Sequence, residues 1–450
     1  VTLWGGRFSE PPDKVLWGYT VDASDRRLLA HDIRGSIAHA EMLGEVGLLD
    51  VEETKAIVGG LTAILDEAEH GRFEFLDTDE DVHTAVERRL IELKGPVGGK
   101  LHTGRSRNDQ MALDLRLYLR ETAQGLADLL ASFALLLTDL AEHHADVVVA
   151  SYTHLQQAQS ISFGHHLLAY AWMAARDRDR FGDLHRRANL SPLGAGASGG
   201  TSLPLDPQLT AAVLGFSGPM PNSLDAVASR DLVAEMAFCC AQAMVHLSRL
   251  SEDVVLWASS EFGWIKLADR YATGSSALPH KKNPDIAELA RGKTAAVIGD
   301  VTTLLVLQKG LPLSYNRDLQ EDKPSLFHAA DTLAATLEAL GGLMATARFD
   351  PPAPMPETTA LDLAEALLTR GVPFREAHIS VGRVVAALIE RNRDLGSVTL
   401  EEIQSIEPRF VSDDLKLIDP VASASRRTSP GGGSPESVRN QVAALRELLP

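Results

Sequence analysis

The sequence predicts an all-α protein, a three-domain protomer built on a central bundle of long helices, from three observations. Beyond Arg107, the residues Leu115, Leu119, Thr122, Leu126, Leu129, Phe133, Leu136 and Leu140 follow four-three spacing, the mark of a coiled-coil-like seam. Similar apolar-periodic runs occupy about 156–181, 227–262, 285–309 and 325–347, each longer than an ordinary globular helix. Strand-like alternation is scarce. A seam this rich in leucine and alanine is more easily buried between subunits than alone, which predicts a homo-oligomer.

Taken from the N-terminus, residues 1–106 read as shorter helices ending in GPVGGKLHTGRS, a glycine-rich boundary. Residues 107–357 form the central long-helix domain. The proline-rich FDPPAPMPETT from Phe349 breaks the periodicity and separates a smaller helical domain, 358–450. Within it, SPGGGSPES reads as a turn leading into the final helix.

The chain has 450 residues, 45% hydrophobic and 23% charged, the composition of a soluble globular protein. A net charge of -18 with no basic face argues against nucleic acid or an anionic membrane as partner. Cys239 and Cys240 are sequence neighbours in a helical run, poorly placed to bridge each other, and read as small buried hydrophobes. VTLWGGRFSEPPD lacks the basic-then-apolar pattern of a secretory signal. The most apolar stretch, LADLLASFALLLTDLA, carries Asp128 and Asp139, so no membrane span is expected and a cytoplasmic location is.

Gly194, Gly196 and Gly199 match the dinucleotide fingerprint G-x-G-x-x-G, but polar RRANLSP precedes them and GTSLPLDP follows, where that fingerprint needs a strand and a helix. The small residues would still let backbone amides approach a ligand closely; an ordinary flexible loop is the competing reading. The histidine pairs His143-His144 and His165-His166 point to different sides of a helix, no H-E-x-x-H spacing occurs, and no metal is expected.

Three polar stretches remain. GSSALPHKKNPD, 274–285, gathers hydroxyls and cations; Asn283 as N-cap, Pro284 at the first helical position and Asp285 in the first turn feed a helix N-terminus. Such a terminus with Lys281, Lys282, Ser275 and Ser276 suits an anionic ligand, and the flexible start suits a lid; a solvated loop with two lysines would read the same. HTGRSRNDQ, 102–110, sets Arg105, Ser106, Arg107 and Asn108 at a helix start, able to hold carboxylates or simply to cap. ASYTHLQQAQ, 150–159, places Thr153 and His154 just before another helix. A lone histidine is usually structural, and acid-base work requires a carboxylate to orient it, for which Glu288 is the candidate.

LWGGRF, HTGRSRNDQ, YTHLQ, GSSALPHKKNPD and SPGGGSPESV, in that order along essentially the whole chain, resemble the argininosuccinate lyases of the fumarase/aspartase superfamily. The resemblance implies a homotetramer whose long helices form a common core and whose sites are each shared between three subunits. It implies reversible β-elimination of argininosuccinate to L-arginine and fumarate, the last step of arginine biosynthesis, without cofactor or metal. Carried over by position, Ser275 is the base, Lys281 and Asn283 steady the carbanionic intermediate, and His154, oriented by Glu288, serves the acid side. Thr153, Ser106, Arg107, Asn108, Arg230, Tyr315, Gln320, Lys323 and Asp25 bind substrate. Two positions depart from the family: Leu278 stands where methionine is frequent, and Thr20 where related lyases carry a binding serine. The alternatives within reach of the resemblance are an adenylosuccinate lyase or another fumarate-releasing lyase, and a non-catalytic structural protein like δ-crystallin.

Overall fold

A computed structural model describes residue 10 and residues 12–449; the LWGGRF stretch lies outside them. The described chain is dominated by helices, with strands confined to three two-stranded antiparallel pairs. By contacts it divides into two compact units. The first draws on residues up to Leu126, Arg180–Ala241 and Ala295–Thr332, the second on Ala127–Asp179, Gln242–Thr294 and residues from Leu333 onward.

The N-terminal helices are α1 (Lys14–Thr20), α2 (Leu29–Glu45), α3 (Val51–Glu69) and α4 (Val82–Lys94). Their starts follow from capping chemistry. Asp50 and Glu53 form a reciprocal capping box on α3, and Asp81 accepts the Thr84 amide at 2.7 Å on α4. Ile33, Leu43, Ile57, Leu61, Ile64 and Leu90 close the core beneath them. A 3-10 segment, Gly95–His102, follows in the glycine-rich stretch and leads to α5 (Arg107–His143).

Along α5 the predicted seam and the buried stripe coincide in part. Leu115, Leu119, Leu126 and Phe133 are buried, but so are Leu130, Leu137 and Ala141 outside the seam, while Leu129 is 40% exposed. A straight helix of 3.6 residues per turn drifts away from a strict 3.5-residue repeat, so seam and buried face do not match along the whole helix. Among the described residues α5 is the one helix that by length and apolar composition would pass for a membrane span. It nevertheless buries Asp109, Asp114 and Arg116 and pairs Asp139 with Arg446.

The run expected as helix from 156 begins instead as a hairpin, β1 (Val148–Thr153) with β2 (Gln156–Ser162), followed by α6 (Phe163–Arg187). The segment 156–162 holds only Ala158 and Ile161 as apolar residues, and its buried Ser160 and Ser162 have their hydroxyls bonded to Thr358 and the Ala145 carbonyl. Short α7 (Pro207–Val213) and α8 (Ser223–Ala228) precede α9 (Asp231–Ala258), in which Cys239 and Cys240 are buried and not joined in a disulfide. Three small strands, β3 (Ile265–Lys266), β4 (Thr273–Gly274) and β5 (Lys282–Asn283), lead to α10 (Asp285–Gln308) and α11 (Asp322–Thr346). After β6 (Arg348–Phe349), which pairs with β3, come α12 (Ala360–Thr369), α13 (Phe374–Ile389), α14 (Leu400–Ile406), α15 (Pro420–Ser425) and α16 (Pro435–Leu448). The residues after the proline-rich break have a core of their own, including Leu363, Leu367, Val381, Val384, Ile403 and Phe410.

Candidate active site

The start of α5 is fixed by its own polar residues. Ser106 is the cap: its Oγ accepts the Asn108 amide at 3.2 Å, and its own amide donates to Asp109 Oδ1 at 2.9 Å. The other Asp109 oxygen receives the amides of Gly194 and Gly196 at 3.2 and 2.8 Å. Gly196 has φ 60°, and a Cβ there would meet the Gly200 carbonyl at 2.9 Å, so glycine is required. The amides of the false dinucleotide fingerprint therefore cradle a carboxylate of the same chain. Burial pushes the Asp109 carboxyl up, against the pull of these amides. Asn108 Nδ2 completes the clamp by donating to the Ala197 carbonyl at 3.0 Å.

Above this start the first unit holds a cavity of about 270 Å³. Six predicted site residues line it: Asp25, Arg107, Asn108, Tyr315, Gln320 and Lys323. Acidic residues that the sequence reading did not single out, Asp22, Glu80 and Asp81, join them, as do His83 and Arg317. Arg107 Nη1 donates to Asp81 Oδ2 at 2.8 Å and to Glu80 at 3.3 Å, and Nη2 to Thr84 Oγ1 at 2.7 Å. Gln320 Nε2 donates to the Thr20 carbonyl at 3.1 Å, while the Thr20 hydroxyl turns back to the Leu16 carbonyl. Asp25 Oδ2 accepts the Val82 amide at 3.1 Å and its buried Oδ1 has no partner. Burial drives this carboxyl up to about 6, opposed by the charge of His83 and the Val82 amide.

His83 is the strongest feature absent from the sequence reading. Its Nδ1 lies 2.9 Å from Asp32 Oδ1 and 3.7 Å from Asp114 Oδ2, with all three residues buried. Burial opposes its charge, yet the Asp32 carboxylate, with Asp81 and Asp114 behind it, holds the imidazole up at about 9. Burial and the Asp32 charge raise Asp114 well above the usual carboxylate range. Among the described residues this trio is the one group of three or more such side chains close enough to hold a cation. A metal would have to displace the proton that the carboxylates stabilise on His83, so an ion pair is the better physical description. The signal lay in DTDEDVH, where an acidic run ends on a histidine, and in Asp32, Ser36 and His39, polar residues spaced along the inner face of α2.

Arg230, also a predicted site residue, does not line this cavity. It is buried, donates from Nε to Asp322 Oδ2 at 2.5 Å, and lines a second cavity of about 520 Å³.

The remaining predicted residues belong to the second unit. Thr153 pairs with Gln156 as the last rung of the hairpin, and His154 and Leu155 form its two-residue turn with φ of 54° and 56°. Positive φ at both central positions defines a type I′ turn, which ordinarily takes Asn-Gly. His154 thus occupies a hairpin tip, rather than the approach to a helix, and is exposed. It makes no ion pair with Glu288, itself exposed on α10, within the single chain.

GSSALPHKKNPD forms a loop whose base is zipped by β4 and β5, Thr273 opposite Asn283 and Gly274 opposite Lys282. Ser275 Oγ receives two backbone amides, Ala277 at 3.2 Å and Leu278 at 3.0 Å. Lys282 is tethered, donating to Asp269 Oδ1 at 2.8 Å, and Lys281 is exposed. The helix cap differs from the expectation. The Glu288 amide bonds to the Pro284 carbonyl at 3.1 Å, so Pro284 is the cap and Asp285 the first helical residue, because Asn283 is drawn into β5.

A family model described as Lyase matches residues 6–299, and one described as Argininosuccinate lyase C-terminal matches residues 357–425. The chain is 47% identical to an argininosuccinate lyase of Symbiobacterium thermophilum, covering 99% of this chain and 98% of that one. It is 49% identical to one of Acidothermus cellulolyticus, covering 99% and 94% respectively. Among solved structures, EDDS lyase in complex with formate matches with a TM-score of 0.83 at 30% identity, covering 96% of this chain and 88% of that chain. The 3-carboxy-cis,cis-muconate lactonizing enzyme of Pseudomonas putida shares the fold, with a TM-score of 0.75 at 18% identity over 97% of this chain and 100% of that chain.

Proposed function

The chain belongs to the argininosuccinate lyase family, and on that premise we propose that the cavity of the first unit binds argininosuccinate, from which the enzyme releases fumarate. The observation that carries this reading is the presence of both signs of charge around one space: Arg107, Arg317 and Lys323 with Asn108 line it together with Asp22, Asp25, Glu80 and Asp81. A substrate with carboxylates at one end and a guanidinium and an amino group at the other finds a partner for each of its charges among them.

The chemistry requires removal of a weakly acidic proton beside a carboxylate. The electron pair forms the new double bond as the carbon–nitrogen bond breaks, and the departing nitrogen takes a proton. Ser275 is our base. Two amides already directed at its Oγ would favour the alkoxide, which addresses the weakness of serine as a base. Lys281 and Asn283 steady the charge that builds on the carboxylate. His154, oriented by Glu288, returns the proton, and Thr153 and Ser106 contact substrate.

These groups belong to stretches far apart in the chain, and we propose that a homotetramer assembles them, each site shared between three subunits. Exposed apolar side chains support self-association: Phe238 is 50% exposed, and Leu289, Leu305 and Val306 on α10 are 59%, 57% and 63% exposed. The division into 1–106, 107–357 and 358–450 is part of the same proposal, supported at its second boundary by the separate core after the proline-rich break.

Purified protein incubated with argininosuccinate or with adenylosuccinate, with fumarate followed by its ultraviolet absorbance, tests the function. Fumarate from argininosuccinate alone is expected, and none from it would end the reading. Mixing the impaired Ser275→Ala and His154→Asn proteins after mild dissociation should restore part of the activity if sites are shared.

A further inference from the structure

Asp322 is the first residue of α11 and is fully buried. Its carboxylate is divided between two cations: Oδ2 accepts Arg230 Nε at 2.5 Å, and Oδ1 accepts Lys323 Nζ at 3.0 Å. Arg230 and Lys323 are themselves only 1% and 3% exposed. Adjacent residues on a helix point to different faces, so the bond between Asp322 and Lys323 bends the lysine stem back upon the helix start. A buried ammonium without a partner is costly, and here Asp322 is the carboxylate that relieves it.

The three groups separate two spaces within the first unit. Lys323 lines the cavity read as the substrate site, Arg230 lines the larger one, and Leu319 borders both. One carboxylate between two cations leaves a net positive charge in a dry setting. Arg230 Nε and the Ser229 carbonyl, 3.2 Å from Arg230 Nη1, anchor one side of the array. The ammonium of Lys323, with hydrogens to spare beyond its bond to Asp322, is the side turned to the substrate cavity.

We propose that Asp322 is a positioning residue for this reaction: braced by Arg230, it sets where the Lys323 ammonium meets a substrate carboxylate. Asp322 itself contacts no substrate. The proposal rests on reading the cavity as the substrate site, and it predicts that a displaced carboxylate acts on substrate binding through Lys323 alone.

The test is steady-state fumarate release by the intact oligomer for the parent, Asp322→Asn, Asp322→Glu, Lys323→Met and the pairings of each Asp322 variant with Lys323→Met. Asp322→Glu keeps the buried counter-charge, and with it the fold, but moves it by one methylene. The expected result is at least a tenfold fall in kcat/KM for Asp322→Glu, carried mainly by KM. In the Lys323→Met background the same change should cost less than twofold, the non-additivity of residues that act as a unit. A kcat/KM for Asp322→Glu within twofold of an active parent overturns the proposal, as does an equal loss in both backgrounds. A parent that releases no fumarate overturns the proposed function and this inference with it, which distinguishes the two failures.

Discussion

His83 Nδ1 lies 2.9 Å from Asp32 Oδ1, and neither side chain has appreciable contact with solvent. Burial alone would discharge the imidazole, so its rise to about 9 measures how strongly Asp32, Asp81 and Asp114 compensate. The folded chain holds this proton more tightly than the unfolded chain, whose histidine titrates near 6.5. The stabilisation is therefore complete below about pH 6.5 and disappears as pH rises through about 9. Between about pH 7 and pH 10 the parent should lose on the order of 2–3 kcal/mol that His83→Gln does not lose. Urea unfolding at the two pH values checks this; parallel pH dependence in both proteins would show that the pair does not carry the charge.

His39 gives the opposite limb. Burial, with help from the Arg105 charge, lowers it to about 3, and its Nε2 lies 3.0 Å from the Thr103 carbonyl. Below about pH 6.5 the unfolded chain takes up a proton that the folded chain refuses, so stability falls with pH. Replacing it by glutamine, which can still donate to Thr103, should flatten that fall by about 3 kcal/mol between pH 7 and pH 4.5. Melting temperatures that drop equally in parent and variant would assign the acid limb elsewhere. His31, lowered by burial to about 4, contributes in the same direction in both proteins.

The helices and their breaks were legible because periodicity, capping residues and prolines are local signals. The start of α5 at Arg107 and the interruption of α-helix between Thr346 and Ala360 follow from them directly. The hairpin at 148–162 was not legible, since its turn uses His154-Leu155 instead of the Asn-Gly that would announce it. Of the cavity residues, Arg107 and Asn108 stood out at a polar helix start and Asp25, Tyr315, Gln320 and Lys323 only through family resemblance, whereas the buried carboxylates behind them did neither. Asp32, Asp114 and Asp322 become meaningful only when folding brings distant buried charges together, and no spacing in the chain encodes that meeting.

Ser275 is held in a local turn by the Ala277 and Leu278 amides, an arrangement that alanine would lose at a cost of about 1 kcal/mol or less, confined to an exposed loop. If Ser275 removes the proton, Ser275→Ala should slow turnover roughly 10²–10⁴-fold while oligomer size and melting temperature stay at parent values. Full turnover would take the serine out of the mechanism, and loss of assembly would make the loop structural.

The hairpin tip separates strain from chemistry. A residue other than glycine held at positive φ costs roughly 1–2 kcal/mol, and the turn has two in succession, His154 and Leu155. Leu155 is 67% exposed, so little core packing offsets its share. Leu155→Gly should accordingly raise stability by about 1 kcal/mol without altering the turn type. Asparagine tolerates the left-handed region better than most residues, so His154→Asn should also preserve the hairpin, yet lower turnover roughly 10²-fold or more if the imidazole moves a proton. Thermal melts and fumarate release on the two variants give the comparison. A His154→Asn protein with parent turnover would leave His154 as a turn residue only, and a Leu155→Gly protein less stable than the parent would mean that the exposed leucine is held by contacts outside the single chain.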